Sequence, residues 1–251
     1  MQKLKILVLD IETGPSLAYI WSLWDKHVPI QRLVENGTTL CWAAKWVDQD
    51  EVYSGSLDRL TEYESMLKLH GLMDEADCIV HYNGKKFDIP TIHRDMLRLG
   101  IPPPAPHKDI DLLETVKRRF RFISNKLDYV AQYLKLGQKT AHPGFEMWTG
   151  CLKGDVKSWR MMKTYNIQDV RLTEQVYKKL LPWIDRHPSH ANLHNVLACP
   201  KCGSESFIAR GFAYTSTQKY QRYKCRDCGG WFRGHKTVHE TVKEKAVNVA
   251  S

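Results

Sequence analysis

A chain of 251 residues with 43% hydrophobic residues can bury one sizeable core and still form a smaller second unit, which excludes an intrinsically disordered protein. No apolar run approaches the roughly 20 residues of a membrane span, and Met1-Gln2-Lys3-Leu4-Lys5 runs into an apolar stretch without a signal-peptide pattern, so a cytoplasmic protein with no membrane partner is expected. The formal charge of +9 is uneven: from Cys199 onward 10 Lys and Arg stand against 4 Asp and Glu, and before it 27 against 24, a basic surplus in a small module that suits a polyanion.

The first element is Lys5-Ile6-Leu7-Val8-Leu9-Asp10-Ile11-Glu12-Thr13-Gly14, a short β-branched run closed by Gly14-Pro15, which predicts a buried strand. Side chains alternate along a strand, so Asp10 and Glu12 leave the same face. Two carboxylates side by side at the end of a buried strand repel one another unless a cation lies between them, and the pair points to a metal. An aromatic-rich connection follows over 17–38, with Tyr19, Trp21 and Trp24; its length and apolar content predict an ordered insertion near the site rather than a simple turn. Residues 39–47 and 51–54 read as the second and third strands. Thr61 and Glu64 have capping-box spacing, for a helix carrying Met66, Leu67, His70 and Met73 to about residue 76.

Cys78-Ile79-Val80-His81 predicts a short buried strand. It runs into His81-Tyr82-Asn83-Gly84-Lys85-Lys86-Phe87-Asp88, a glycine-containing turn feeding a helix with Asp88 at its start and Ile92, Met96 and Leu99 on one face. After the prolines at 102, 103, 104 and 106, residues 108–112 fit an edge strand, with helices over 113–120 and 126–136. Residues 138–154 show no period and predict a loop. Asp155 then caps a helical stretch through Trp159, Met162, Tyr165, Asp169, Val176 and Leu180. Strands first, then strand and helix in alternation, is the order of an α/β protein with helices on the faces of a sheet. The expected division is a main domain over 1–184, a linker over 185–198, a small unit over 199–234 and a polar tail over 235–251.

Spacing of four puts Tyr165 and Asp169 on one helical face, one turn apart, so both can aim at one point. Leu9-Asp10-Ile11-Glu12-Thr13 resembles the first motif of the DnaQ-like 3′–5′ exonucleases of the ribonuclease H-like superfamily, the DEDD group. The stretch from His81 to Asp88 resembles the second motif, and Tyr165-Asn166-Ile167-Gln168-Asp169-Val170 the third in its tyrosine form. The resemblance implies a ribonuclease H-like mixed sheet flanked by helices. It also implies that Asp10, Glu12, Asp88 and Asp169 hold two divalent ions, with Tyr165 beside the attacking water. All-oxygen ligands suit magnesium or manganese. A tyrosine with an ordinary pKa of about 10 is a poor proton acceptor at neutral pH, so Tyr165 is expected to orient the water. Asn83 is a candidate for steering the strand end, and Lys85 and Lys86 for phosphate contacts, with a solvated loop pair as the alternative for the lysines. His81 and Asp111 read as structural, and Cys41, Cys78 and Cys151 as buried, inert thiols.

Cys199-Pro200-Lys201-Cys202-Gly203 and Cys225-Arg226-Asp227-Cys228-Gly229 are matching knuckles with 22 residues between them. Each turn brings two thiolates to one ion, and each trailing glycine permits the tight backbone turn. Four thiolates close a tetrahedron and predict one structural zinc, with a hairpin over 207–213 and 220–224 between the knuckles. The module resembles the zinc ribbons of transposases and other DNA-associated proteins. Its cations, among them Arg210, Lys219, Arg222, Lys224, Arg226 and Arg233, interleave with Phe212, Tyr214, Tyr220, Tyr223, Trp231 and Phe232, a pattern that offers charge to phosphates and rings to bases.

The expected activity is two-metal 3′–5′ hydrolysis of phosphodiester bonds in DNA, with the zinc ribbon assisting substrate binding; Arg222, Lys224, Arg226 and Trp231 are its candidate contacts. One alternative is an exoribonuclease, since the chemistry is identical. Another is a non-catalytic nucleic-acid-binding, replication-accessory protein, which the presence of all four carboxylates and the tyrosine disfavours. A polymerase or another replication or repair protein is the further candidate partner. Oligomeric state is left open by the sequence.

Overall fold

The computed structural model describes residues 4–24, 27–140, 143–190 and 197–238; residues 191–196 of the expected linker and 239–251 of the expected tail lie outside them. The described residues divide into two compact units, Leu4–Arg186 and a C-terminal unit beginning at His187. Among the described residues no helix is long and apolar enough to cross a membrane.

The larger unit is built on β1, Ile6–Thr13. Two short strands, β2 (Leu17–Ala18) and β3 (Leu33–Glu35), pair as a small antiparallel ribbon, and β4 (Thr39–Trp46) then returns antiparallel beside β1, with Asp10 opposite Ala43 and Glu12 opposite Cys41. Strand β5 (Tyr53–Ser56), two residues later than the sequence predicts, forms one antiparallel edge. On the other side β6 (Cys78–His81) and β7 (Lys108–Asp111) run parallel to β1, giving a mixed sheet of order β5-β4-β1-β6-β7. This is the mixed, helix-flanked sheet that the ribonuclease H-like resemblance implies.

Helices α1 (Glu62–Asp74), α2 (Asp88–Arg98), α3 (Leu112–Arg119), α4 (Leu127–Tyr133), α5 (Phe145–Leu152) and α6 (Val156–Leu180) cover it. Alternation along β1 sorts the two faces. Leu7, Leu9 and Ile11 pack with Trp42, Ile79 and the α1 and α2 residues Leu69, Ile92 and Met96. Ile6 and Val8 pack on the other face with Val80, Val130 and the α6 residues Val170, Val176 and Leu180. Asp10 and Glu12 continue this second series, so the carboxylates emerge toward α6 where the apolar series stops. A buried ion pair, Lys45 to Glu174 at 2.6 Å, ties β4 to α6. At the start of α6, Asp155 accepts from the amides of Lys157 and Ser158, the predicted cap. The Thr61–Glu64 capping box also forms as predicted.

Residues 138–154, for which the sequence predicts loop, contain α5. Its N-cap is Gly144 at φ 73° and ψ −145°, a conformation open only to glycine, with no side-chain cap bond. The helix holds because Met147 and Cys151 pack against Leu40, Trp159 and Met162. Two buried positions make too short a stripe to read as a period.

In the C-terminal unit, β8 (Phe207–Tyr214), β9 (Lys219–Cys225) and β10 (Trp231–Thr237) form an antiparallel sheet of order β10-β9-β8. The predicted hairpin is thus joined by a third strand, which continues to Thr237, past Gly234 where the sequence predicts a tail. The core of this small sheet is aromatic: Phe207, Tyr223 and Phe232 lie with ring centroids 5.2, 5.3 and 5.4 Å apart.

Candidate active site and cysteine centre

Strand β1 delivers Asp10 and Glu12, and α6 delivers Asp169; one oxygen from each lies within 4.8 Å of the others. The apolar stripe of α6 packs on the sheet, and this places Tyr165, Asn166 and Asp169 at the end of β1. Asn166 Nδ2 donates to Asp10 Oδ2 at 2.7 Å and so fixes the rotamer of that carboxylate. Asp88, the first residue of α2, accepts from the Ile11 amide at 3.2 Å, which ties it to β1 between Asp10 and Glu12 in sequence. It stands outside the group of three, but its charge acts on Asp10 more strongly than that of Asp169 or Glu12.

The electrostatics are those of acids confined together. Burial, then the charges of Asp88, Asp169 and Glu12, push Asp10 well above the carboxylate range. Burial and then Asp169 raise Glu12 to about 7. Burial raises Asp88 to about 6 against the pull of the Ile11 amide. Asp169 is raised by burial, and Lys139 opposes the rise. Oδ1 of Asp169 is buried and accepts no hydrogen bond. A buried carboxylate oxygen without a donor, on a residue gathered with two further acids, fits a divalent cation with oxygen ligands.

Two residues that sequence reasoning missed complete the site, both from the stretch read as loop. Lys139 Nζ donates to the Tyr165 hydroxyl at 2.9 Å and to Asp169 Oδ2, and its backbone amide donates to Asp128 Oδ1 at 2.7 Å. Burial alone would lower the Lys139 ammonium, but the charge and hydrogen bond of Asp169 override it and hold the group above its ordinary value. The indole of Trp148, on α5, donates to Glu12. A lysine and a tryptophan in a stretch with no period carry no signal that could have marked them. Tyr165 is raised to about 12 by burial, against the Lys139 hydrogen bond, so it stays a neutral phenol.

The other predicted positions divide. Asn83 sits at φ 72° with its amide on Asp111 Oδ1 at 2.9 Å, and Asp111 also caps α3 through the Leu113 amide. His81 is fully buried, with Nε2 3.4 Å from Asp109 and Nδ1 3.8 Å from Asp111. Gly84 must be glycine, because a Cβ there would lie 2.5 Å from the His81 ring. His81 and Asp111 therefore build the turn that aims Asp88. Lys85 is held on Glu114 at 3.0 Å on the surface, and Lys86 is exposed. Cys41, Cys78 and Cys151 are buried, and burial pushes each thiol up.

In the C-terminal unit the sulfurs of Cys199, Cys202, Cys225 and Cys228 lie within 4.8 Å of one another, with Cys199–Cys228 at 3.7 Å and Cys202–Cys225 at 3.6 Å. Four sulfurs about 2.3 Å from a common centre in a tetrahedron are about 3.8 Å apart, so the spacing fits zinc. Gly203 and Gly229 take φ of 76° and 73°, the left-handed turns expected after each second cysteine. Arg222, Lys224, Trp231 and Arg233 share the face opposite the aromatic core, with Arg222 4.9 Å from the Trp231 ring centroid and Arg233 4.3 Å from that of Tyr220. Arg226 is exposed. The aromatics are thus divided between the core and this face.

A family model of the RNase H superfamily matches residues 35–181. Among solved structures, the family B DNA polymerase of the hyperthermophilic archaeon Pyrobaculum calidifontis is similar to this chain with a TM-score of 0.53 and 21% sequence identity. The match covers 72% of this chain and 25% of the polymerase, so the chain spans about a quarter of that protein's length. None of the curated proteins matches.

Proposed function

Because this chain belongs to the RNase H superfamily, we propose that it is a metal-dependent nuclease that removes nucleotides from the 3′ end of DNA. The observation that carries the reading is the convergence of Asp10, Glu12 and Asp169 within 4.8 Å, with Asp88 held on the Ile11 amide of the same strand and Asp169 Oδ1 buried without a donor. Asp10, Glu12, Asp88 and Asp169 would hold two magnesium or manganese ions. When bound, such ions acidify water and neutralise charge on the phosphate and the leaving oxygen.

The chain's own residues supply position. Asn166 and Trp148 hold Asp10 and Glu12 in single orientations. Tyr165, a phenol at neutral pH, offers its hydroxyl to orient the attacking water rather than to take its proton. Lys139 holds that hydroxyl and places a positive charge beside the site, where the phosphate would gain negative charge.

The cysteine unit holds zinc in this reading and grips the strand through Arg222, Lys224, Arg226 and Trp231. Arg222 and Arg233 stand directly opposite one another across β9 and β10, a like-charge pair that is unfavourable without an anion. DNA is preferred because the module resembles the zinc ribbons of DNA-associated proteins. Hydrolysis is assigned to the domain over 1–184 and binding to the zinc ribbon over 199–234, joined through 185–198.

The test is digestion of 5′-labelled single-stranded DNA, duplex DNA and RNA with magnesium or manganese. Release of mononucleotides from the 3′ end of DNA, absent in Asp10→Asn, is expected. RNA digested in preference to DNA would make the protein an exoribonuclease. Tight binding without hydrolysis of any substrate would make it an accessory protein.

A further inference from the structure

The β2–β3 ribbon between β1 and β4 leaves exposed what a fold normally covers. Tyr19, Trp21, Leu23, Trp24 and Ile30 are 76%, 88%, 89%, 88% and 78% exposed. Large apolar side chains gathered on one exposed segment mark a contact surface. The segment is not loosely hung. Gly14 N donates to Thr38 O at 2.8 Å, the Gly37 amide to Ser16 Oγ at 3.1 Å, and Arg94 to Gly37 O at 2.8 Å. Buried Asp95 accepts from both the amide and the hydroxyl of Thr39, at 3.0 and 2.8 Å. At Gly37 even a Cβ is excluded, since it would stand 2.0 Å from Gly14 O. A fastened base therefore presents an apolar tip from the strand that carries Asp10 and Glu12, and Leu17 follows Glu12 by five residues.

The chemistry of this ribbon narrows its occupant. Three of the five exposed side chains are flat rings, and among the described residues of 17–35 the formal charges cancel, Glu35 against Arg32. Such a surface does not grip phosphates; it suits an occupant whose phosphates are held elsewhere and which brings flat apolar faces. Unpaired nucleobases on a strand whose end lies at the acidic cluster meet both conditions, and stacking on rings is indifferent to sequence. Paired bases are already stacked and offer no face. Resting on the nuclease reading above, we infer that the β2–β3 ribbon is a stacking platform for unpaired bases next to the scissile bond, so that single-stranded 3′ tails are taken in preference to paired ends.

The test measures anisotropy of 5′-fluorescein (dT)12 and of an abasic strand with the same number of phosphates, on full-length protein carrying Asp10→Asn. The parent should bind (dT)12 at least about tenfold more tightly than the abasic strand. Trp21→Ala with Trp24→Ala should close most of that gap by weakening (dT)12 alone, and Trp21→Phe with Trp24→Phe should keep most of it. Equal (dT)12 affinity in the alanine variant and the parent overturns the platform. So does a dimer in solution that the alanine pair converts to monomer with the gap intact, since the β2–β3 ribbon would then join copies of this chain. Release of p-nitrophenol from the p-nitrophenyl ester of thymidine 5′-monophosphate by the wild-type protein reads the nuclease chemistry separately. A gap closed by the variant with no hydrolysis of ester or strand removes the nuclease reading and keeps the platform; hydrolysis with the gap intact removes the platform alone.

Discussion

Asp169 and Lys139 make the carboxylates of the site unequal. Asp10 is surrounded by acids, so Asp10→Asn should abolish hydrolysis and raise the metal-free melting temperature by relieving repulsion. Asp169 instead neutralises a half-buried ammonium, so Asp169→Asn should abolish hydrolysis and lower the melting temperature, by about 1–3 kcal/mol of stability. Calorimetry of the two metal-free variants checks the opposite signs. Tyr165→Phe should slow single-turnover hydrolysis by less than either asparagine, because the ligands remain and only the orientation of the water suffers. If it were as inert as Asp10→Asn with metal bound, Tyr165 would be a proton acceptor after all. Glu12 contributes a defined share of the pH dependence. Its folded pKa of about 7 lies above the ordinary 4.5, so the folded protein binds the proton more tightly than the unfolded chain. Its stabilisation is then full below pH 4.5 and is lost as pH rises through 7. Metal-free protein should therefore melt higher at pH 5.5 than at pH 8, and Glu12→Gln should narrow that difference by on the order of 2 kcal/mol, the remainder belonging to the other raised carboxylates. Asp10, Glu12, Tyr165 and Asp169 are legible in the sequence because strand and helix periods place them. Lys139 reaches the site only through the path of the folded chain.

At the scale of elements, α5 is the part that sequence reasoning did not find and on which the site depends. It brings Trp148 to Glu12, yet its own claim to be a helix rests on two buried residues and a glycine cap. Gly144→Ala forces a side chain into φ 73° and should loosen α5, costing about 1–3 kcal/mol and reducing hydrolysis more than binding. Melting curves and single-turnover rates together decide it, since a fall in stability with unchanged rates would detach α5 from the site. Helices with longer stripes or a complete cap, α1, α2 and α6, are legible for the reason that α5 is not: their periods extend over three or more turns, or begin at a side-chain cap.

At the scale of the whole molecule, charge and catalysis are divided along the chain. Every proposed catalytic residue lies before Trp183, and the region from Cys199 carries +6 of the net +9. Deleting residues 187–251 should leave hydrolysis of bound substrate nearly unchanged, while weakening strand binding and flattening its salt dependence by roughly 0.7 per lost phosphate contact. Removing zinc with a chelator should reproduce the deletion, because an aromatic core of three rings is too small to keep the four-cysteine unit folded. Binding and single-turnover rates over a salt series check both; unchanged affinity and slope would make the zinc ribbon a docking module for another protein.

The sequence by itself determined what depends on near neighbours along the chain: the alternation that sets Asp10 and Glu12 on one face, the four-residue spacing of Tyr165 and Asp169, and the two cysteine knuckles. Their order also carried the resemblance to the RNase H superfamily. Tertiary structure alone decided which cation and which indole meet the acids, how the aromatics of the zinc ribbon divide between a core and a basic face, and that the insertion after β1 presents its rings to solvent. Periodicity records which side an element turns inward. It holds no record of which distant, aperiodic stretch is folded over that side, because that contact is fixed by packing across the sheet and not by local backbone geometry.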